Sequence, residues 1–344
     1  MKKNYTRLIT TLLSLAACVW LVKSAYSGQD LPSIWQHIQE VNLGWVSVIV
    51  VCSIACHFVR TLRWQMLLKA CGKEVGFWKT FGSLMSGYLV NQVIPRFAEL
   101  LVRCYLLNRS DKISYGTSMG SILAERIIDT LSLGILLVSC FVFFGDISYA
   151  FFDLHIRQPL SGYFGAMPFW KIGAALLGIV GILYFVIERA QKKGEKVAEQ
   201  TDTPNVVDEF ADESIQGFAS MLKVENKLLF GVYTVVIWLF YFTMTYFWFF
   251  TLKETSHLGM REAFFIWMIG SIGRMVPTQG GGAGAYHYLV IQAFLLFGIS
   301  ASVAGAMALL IHGLQTILYV FLGSISLAAY MILTGKEETA SQTA

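Results

Sequence analysis

Charge is scarce in this chain. Asp, Glu, Lys and Arg make up 14% of the 344 residues against 56% hydrophobic, and the mean hydropathy is +0.59. A soluble domain carries about 25% charged residues, so most of this chain has no water-facing surface to offer. Proline is rare as well, with six residues, so helices run long and each proline inside an apolar run is informative. The six cysteines have no metal-ligand spacing, and Cys52 and Cys56 lie four apart on one helix and do not bridge. They read as small buried hydrophobes. There is no Gly-Lys-Ser/Thr phosphate loop, no serine–histidine nucleophile arrangement and no metal or cofactor motif, so any energy coupling is expected to use ions or a downhill gradient. The net charge of +4 favours anionic lipid without implying nucleic acid.

What the chain does have is apolar runs. A helix needs roughly 17 to 25 mostly apolar residues to cross the hydrocarbon core. Spans are expected at residues 8–26, 43–59, 118–144, 169–187, 228–250 and 303–333. The first begins after a basic segment but approaches full spanning length, and Ala-Tyr-Ser is a weak cleavage match, so it reads as a retained helix rather than a signal peptide. Lys2, Lys3 and Arg7 precede it, while residues 28–42 carry Asp30 and Glu40 and no Lys or Arg. Arg60, Arg63, Lys69 and Lys73 follow the second span, and Lys192, Lys193 and Lys196 lie in the linker 188–227. The positive-inside rule then places both termini in the cytoplasm.

Two further apolar stretches, 77–107 and 262–297, are broken by Pro95 and Pro277. Proline removes a backbone donor and clashes with the preceding turn, so each is a broken helix, expected as a re-entrant hairpin because charge follows the first break and glycines the second. Gly76-Phe77-Trp78-Lys79 through Pro95 parallels Leu258-Gly259-Met260-Arg261 through Pro277. The expected fold is an all-α polytopic membrane protein with about six spans, two hairpins and an inverted repeat, a construction used for alternating access. Its parts are a first helix and outer loop (1–42), a first repeat (43–145), a loop, span and amphipathic linker (146–227), a second repeat (228–335) and a tail (336–344). In the linker, Phe210, Ile215, Phe218, Met221 and Leu222 suggest an interfacial amphipathic helix.

Polar residues inside apolar runs are the candidate site. Glu99 and Arg103 are spaced i, i+4 after the first break, Arg96 and Arg103 suit phosphate oxygens, and Asn91 stands ready to satisfy freed backbone groups. Glu125, Arg126 and Asp129 fall in one apolar helix, where they form either a self-neutralising ion cluster or a headgroup contact through Arg126. Gly281, Gly282 and Gly284 precede a helix start. They present backbone N–H groups to an anion or serve close packing and hinge motion. His287 binds headgroup, relays a proton or hydrogen-bonds backbone, and His312 reads as a packing histidine.

Arg60-x-x-Arg63-Trp64, Asn91-x-x-x-Pro95-Arg96-x-Ala98-Glu99-x-x-x-Arg103, Glu125-Arg126-x-x-Asp129 and Pro277 with Gly281-Gly282-x-Gly284 resemble the transmembrane region of lysylphosphatidylglycerol synthases, which also occurs as stand-alone flippase-like proteins. The resemblance runs over about residues 43–333 and implies translocation of a phospholipid or lipid-linked headgroup across the cytoplasmic, or inner, membrane, with a separate transferase as possible partner. Family members often carry Glu where this chain has His287. The synthases' large soluble domain has no counterpart before Ala344, so aminoacyl transfer is not expected. The alternatives are an intramembrane enzyme on a lipid-linked substrate, using Glu99 or Glu125 as base and His287 as acid, and a membrane subunit that positions a separate transferase.

Overall fold

The computed structural model describes residues 15–16, 18–94, 97–158, 206–276 and 279–343. The regular elements among them are all helical: α1 (residues 18–25), α2 (Leu31–Gln39), α3 (Leu43–Ala70), α4 (Phe77–Val93), α5 (Phe97–Asp111), α6 (Tyr115–Phe152), α7 (Val206–Ala219), α8 (Lys227–Trp248), α9 (Met260–Met275), α10 (Gln279–Gly282), α11 (Ala285–Leu296) and α12 (Ala301–Thr343), with short 3-10 and π turns between some of them. Polar side chains mark several starts. Ser114 accepts from the Thr117 N–H at 3.2 Å, Asn226 from the Leu229 N–H at 2.9 Å and Glu262 from the Gly259 N–H at 2.8 Å. Each satisfies a backbone donor that the first turn leaves without an intrahelical acceptor.

Among the described residues four helices are long and apolar enough to cross a membrane: Leu43–Ala70, Tyr115–Gly145, Lys227–Thr251 and Ala301–Ile332. They coincide with four of the expected spans. The 169–187 span, most of the 8–26 span and the lysines of the linker up to residue 205 lie outside the described residues. Apolar side chains such as Ile135, Val142, Leu228, Val235, Ile317 and Phe321 are exposed along these helices, as a lipid-facing surface requires.

Both proline-broken segments fold as paired short helices. Helix α4 ends at Val93, Ile94 is extended (φ −119°, ψ 147°), and α5 begins at Phe97. Helix α9 ends at Met275, and α10 and α11 follow. Pro95, Arg96 and Pro277 themselves lie outside the described residues. In each case the two legs pack on one another, α4 on α5 and α9 on α11. The legs have 12 to 17 residues. At 1.5 Å per residue they are about 18–26 Å long, short of the ~30 Å core. The order span, broken pair, span occurs twice, as α3, α4–α5, α6 and as α8, α9–α11, α12.

The chain forms two compact units, Met1–Met66 with Glu74–Lys112 and Asn226–Ala344, and Leu67–Lys73 with Ile113–Glu225. In the first, α12 is the helix against which α2, α4 and α11 pack. Gly323 permits the approach of α4, since a Cβ there would stand 2.6 Å from the Leu89 Cβ and 2.8 Å from the Met85 carbonyl. Tyr26 donates to the Gly305 carbonyl at 3.1 Å, and Tyr330 donates to that of Leu106.

In the second unit α7 packs along α6. The linker helix was expected to lie at the membrane interface. Phe218 and Ala219 are buried and α7 is seated on α6, while Phe210 and Leu222 stay exposed. The reason is glycine: a Cβ on Gly120 would come within 2.2 Å of the Ser214 carbonyl, and one on Gly217 within 2.8 Å of the Thr117 carbonyl. The loop expected from residue 145 is helical at its start. The chain kinks at Gly145 (φ 37°, ψ −113°), and Phe152 returns to Phe141 with ring centroids 4.7 Å apart.

Gly120→Ala is therefore expected to destabilise the second unit by about 1–3 kcal/mol through overpacking. It should also speed trypsin cleavage at Lys223. Gly134→Ala, whose Cβ meets open space, should leave both unchanged. Thermal unfolding and limited proteolysis of the purified protein in detergent measure the contrast.

Candidate functional site

Helix α3 carries His57, Arg60, Arg63 and Trp64 at spacings of three and four, and all four are buried. Arg60 and Arg63 were expected in a cytoplasmic basic cluster after a span ending at 59. The helix instead continues to Ala70, because the first unit supplies partners for both guanidiniums. Arg60 Nη1 donates to the Tyr241 hydroxyl at 2.6 Å and its guanidinium lies 5.8 Å from the Tyr88 ring. Arg63 Nη1 donates to Thr234 Oγ1 at 3.4 Å.

Arg103, on α5, reaches the same place from the first hairpin. Its guanidinium stacks 3.9 Å over the Trp64 ring and pairs with Glu99 at 3.6 Å, with side-chain exposures of 0% and 1%. On a surface this i, i+4 pair would contribute a few tenths of a kcal/mol. Here both ends are removed from water, so each depends on the other and on the indole face. Gly87 makes the room: a Cβ there would stand 2.8 Å from Arg103 Cγ and 3.1 Å from Glu99 Cγ. Ser83 donates to the Arg103 carbonyl at 3.1 Å, and Asn91 is half-buried on the last turn of α4, which the Ile94 N–H closes onto the Val90 carbonyl at 2.9 Å.

An aromatic layer continues from Arg60. The Tyr88 and Tyr319 rings are 5.0 Å apart, His57 lies 5.6 and 5.5 Å from them, and Gln315 Nε2 donates to the Tyr319 hydroxyl at 2.6 Å. Tyr319 is within electrostatic reach of both Arg60 and Arg274. Arg274 ends α9, just before the second break, and stacks 4.6 Å over Tyr286. Each hairpin thus contributes an arginine set on an aromatic ring.

The glycine run closes the second hairpin. Gly280, Gly281, Gly282 and Gly284 have φ of 64°, 67°, 89° and 89°, a region that side chains with a Cβ rarely adopt. Space is also short: a Cβ on Gly282 would meet the Gly273 carbonyl at 2.5 Å, and one on Gly284 the Leu21 Cβ at 2.3 Å. The Gly284 N–H donates to His287 Nδ1 at 3.1 Å. His287 is buried beside His312, with ring centroids 4.8 Å apart. Of the two roles weighed for these glycines, close packing is the one with contacts on view. For His287 it is the backbone hydrogen bond. The short α10 also packs against α4, bringing the second break to the first hairpin.

Glu125 is fully buried on α6 in the second unit, with Arg126 and Asp129 half-buried beside it. The tyrosines at 88, 241 and 319, Gln315 and Arg274 went unnoticed in the sequence. The readable signals were Gln315 and Tyr319 four apart in one apolar run and Arg274 three residues before Pro277. His37, Glu40 and Glu254 bring one ligand atom each within 4.8 Å of one another, with both glutamates exposed.

Arg103→Ala is expected to destabilise the first unit by about 3–5 kcal/mol, because it leaves the buried Glu99 carboxylate without that guanidinium. The double variant Arg103→Met with Glu99→Gln should recover a large part of the loss. Thermal unfolding in detergent with a double-mutant cycle checks it.

The "Lysylphosphatidylglycerol synthase TM region" family matches residues 8–323. A "UPF0104 membrane protein" of the archaeon Methanothermobacter thermautotrophicus is 25% identical over 279 residues, 78% of this chain and 80% of that protein. Another of that description, from Methanocaldococcus jannaschii, is 20% identical over 334 residues, 92% of this chain and 94% of its own. No solved structure matches the chain. With its span order, its two broken hairpins and a match over nearly its whole length, the chain belongs to the lysylphosphatidylglycerol synthase transmembrane-region family.

Proposed function

We propose that this protein binds the headgroup of an anionic phospholipid, or a lipid-linked headgroup of the same charge, and moves it between the leaflets of the cell membrane. The observation that carries the reading is Arg60. It is a guanidinium at 8% exposure inside an apolar helix bundle, oriented by the Tyr241 hydroxyl at 2.6 Å and faced by Tyr88. A guanidinium at membrane depth carries an insertion cost of about 2.5–3.5 kcal/mol, and intramembrane ionisable groups mark substrate pathways. Its planar fork matches two phosphate oxygens.

Arg103 is enclosed by Trp64 and Glu99, so on this reading it fixes the hairpin and the indole wall, while Arg60, Tyr319 and Gln315 meet the headgroup. Acyl chains stay in the bilayer while the two hairpins, related as an inverted repeat, open alternately to the two sides. The lysine and arginine bias supports cytoplasmic termini and, in a bacterium, an inner-membrane location. The reading assigns transport, and no bond-breaking step, to this chain. A separate transferase would supply or consume the lipid.

In proteoliposomes of phosphatidylglycerol and phosphatidylcholine, wild type is expected to move fluorescent phosphatidylglycerol between leaflets well above empty vesicles. Arg60→Gln should slow this about 10- to 100-fold, the value of a hydrogen bond to a charged group. Equal rates for wild type and Arg60→Gln, or a wild type no faster than empty vesicles, would sink the proposal.

A further inference from the structure

One buried group in the same layer is not used by the headgroup reading. His57 is 3% exposed, one turn before Arg60, and its Nδ1 has no hydrogen-bond partner among the described residues. Buried polar atoms are paired in about nine cases in ten, so a ring nitrogen left over beside a candidate ligand site calls for an explanation. The groups around it are Tyr88 from α4, Tyr319 with Gln315 from α12, Tyr241 from α8, and Cys56 and Arg60 on its own helix, with Arg274 of α9 reaching as far as Tyr319. These are three phenols, a thiol, an amide and two guanidiniums. None supplies a negative charge at neutral pH.

We propose that His57 is a proton site coupled to the anion: its imidazole takes up one proton from water as a phosphate-bearing headgroup docks at Arg60, and returns it when the headgroup leaves. The inference rests on the headgroup reading above. With no ligand, an imidazolium one turn from the Arg60 guanidinium would place two like charges in a low-dielectric interior. A docked phosphate reverses that balance, because its negative charge attracts both cations and its oxygens accept the imidazolium N–H. One N–H bond forms, to the ring nitrogen that carried the lone pair, and the anion moves together with one proton. Linkage is reciprocal, so protonation of His57 must tighten anion binding by the factor with which the anion tightens proton binding.

The test uses dihexanoyl phosphatidylglycerol as the probe and the purified full-length protein in detergent, by calorimetry at pH 5.5 to 8.5 in pairs of buffers with different ionisation enthalpies. Wild type is expected to take up close to one proton per lipid bound from the lower part of this range upward, with Kd weakening up to tenfold per pH unit, until the imidazole of the bound state itself titrates and uptake falls. His57→Gln and His57→Asn should bind with a Kd flat in pH and with no uptake, whereas His312→Gln should keep the wild-type uptake. Binding by wild type without proton uptake overturns the proposal, and needs no variant to fold. Uptake that persists in either His57 variant also overturns it. No binding by wild type at any pH defeats the headgroup reading itself, an outcome distinct from binding without protons.

Discussion

A guanidinium inside an apolar helix bundle has to be given its partners by the protein, and the first unit is arranged around that requirement. Arg103 stacks on Trp64 and pairs with Glu99, all three withdrawn from water. Neither charge would be tolerable at that depth with the other removed. The pair lies within α5, and its enclosure comes from α5 folding back along α4, which requires a residue without a side chain at Gly87, with Ser83 tying α4 to the Arg103 carbonyl. The break before Phe97 is what lets the chain reverse. The hairpin's shape and its charges are therefore parts of one solution.

The second hairpin reaches its shape by backbone freedom rather than by charge. Four glycines at positive φ carry the chain from α9 to α11, and His287 accepts the Gly284 amide to close the turn. Gly273 and Gly282 let the two strands of the turn touch, since a Cβ on Gly273 would stand 2.6 Å from the Tyr286 Cα. Where the first hairpin uses Arg103 on Trp64, the second uses Arg274 on Tyr286. Both lead toward the layer of Tyr88 and Tyr319, and that layer is where the headgroup and proton readings meet.

Much of the architecture was legible in the linear chain. Four spans follow from apolar length alone, and the two broken pairs follow from a proline inside an apolar run, because both are local constraints. The span end expected at residue 59 came from treating Arg60 and Arg63 as a water-facing cluster. Their Tyr241 and Thr234 partners lie more than 170 positions away, and no local pattern carries that distance. The seating of the linker helix on α6 was hidden for a similar reason. Its apolar residues were visible, but the groove formed by Gly116 and Gly120 that receives it belongs to another helix.

Composition and periodicity by themselves determined that this is an all-α membrane protein with two broken hairpins, and ordered motifs pointed to its family. Only the tertiary structure decided which charges are enclosed and what each of them meets. The Glu99–Arg103 spacing is the same on a water-exposed helix as in a buried one, and only the arrival of Trp64 and Gly87 from other helices separates the two cases. Likewise the spacing of the glycines and His287 does not show that the Gly284 amide is donated to the His287 ring. The physical reason is common to both: helical spacing sets which side chains share a face, and packing alone sets what that face meets.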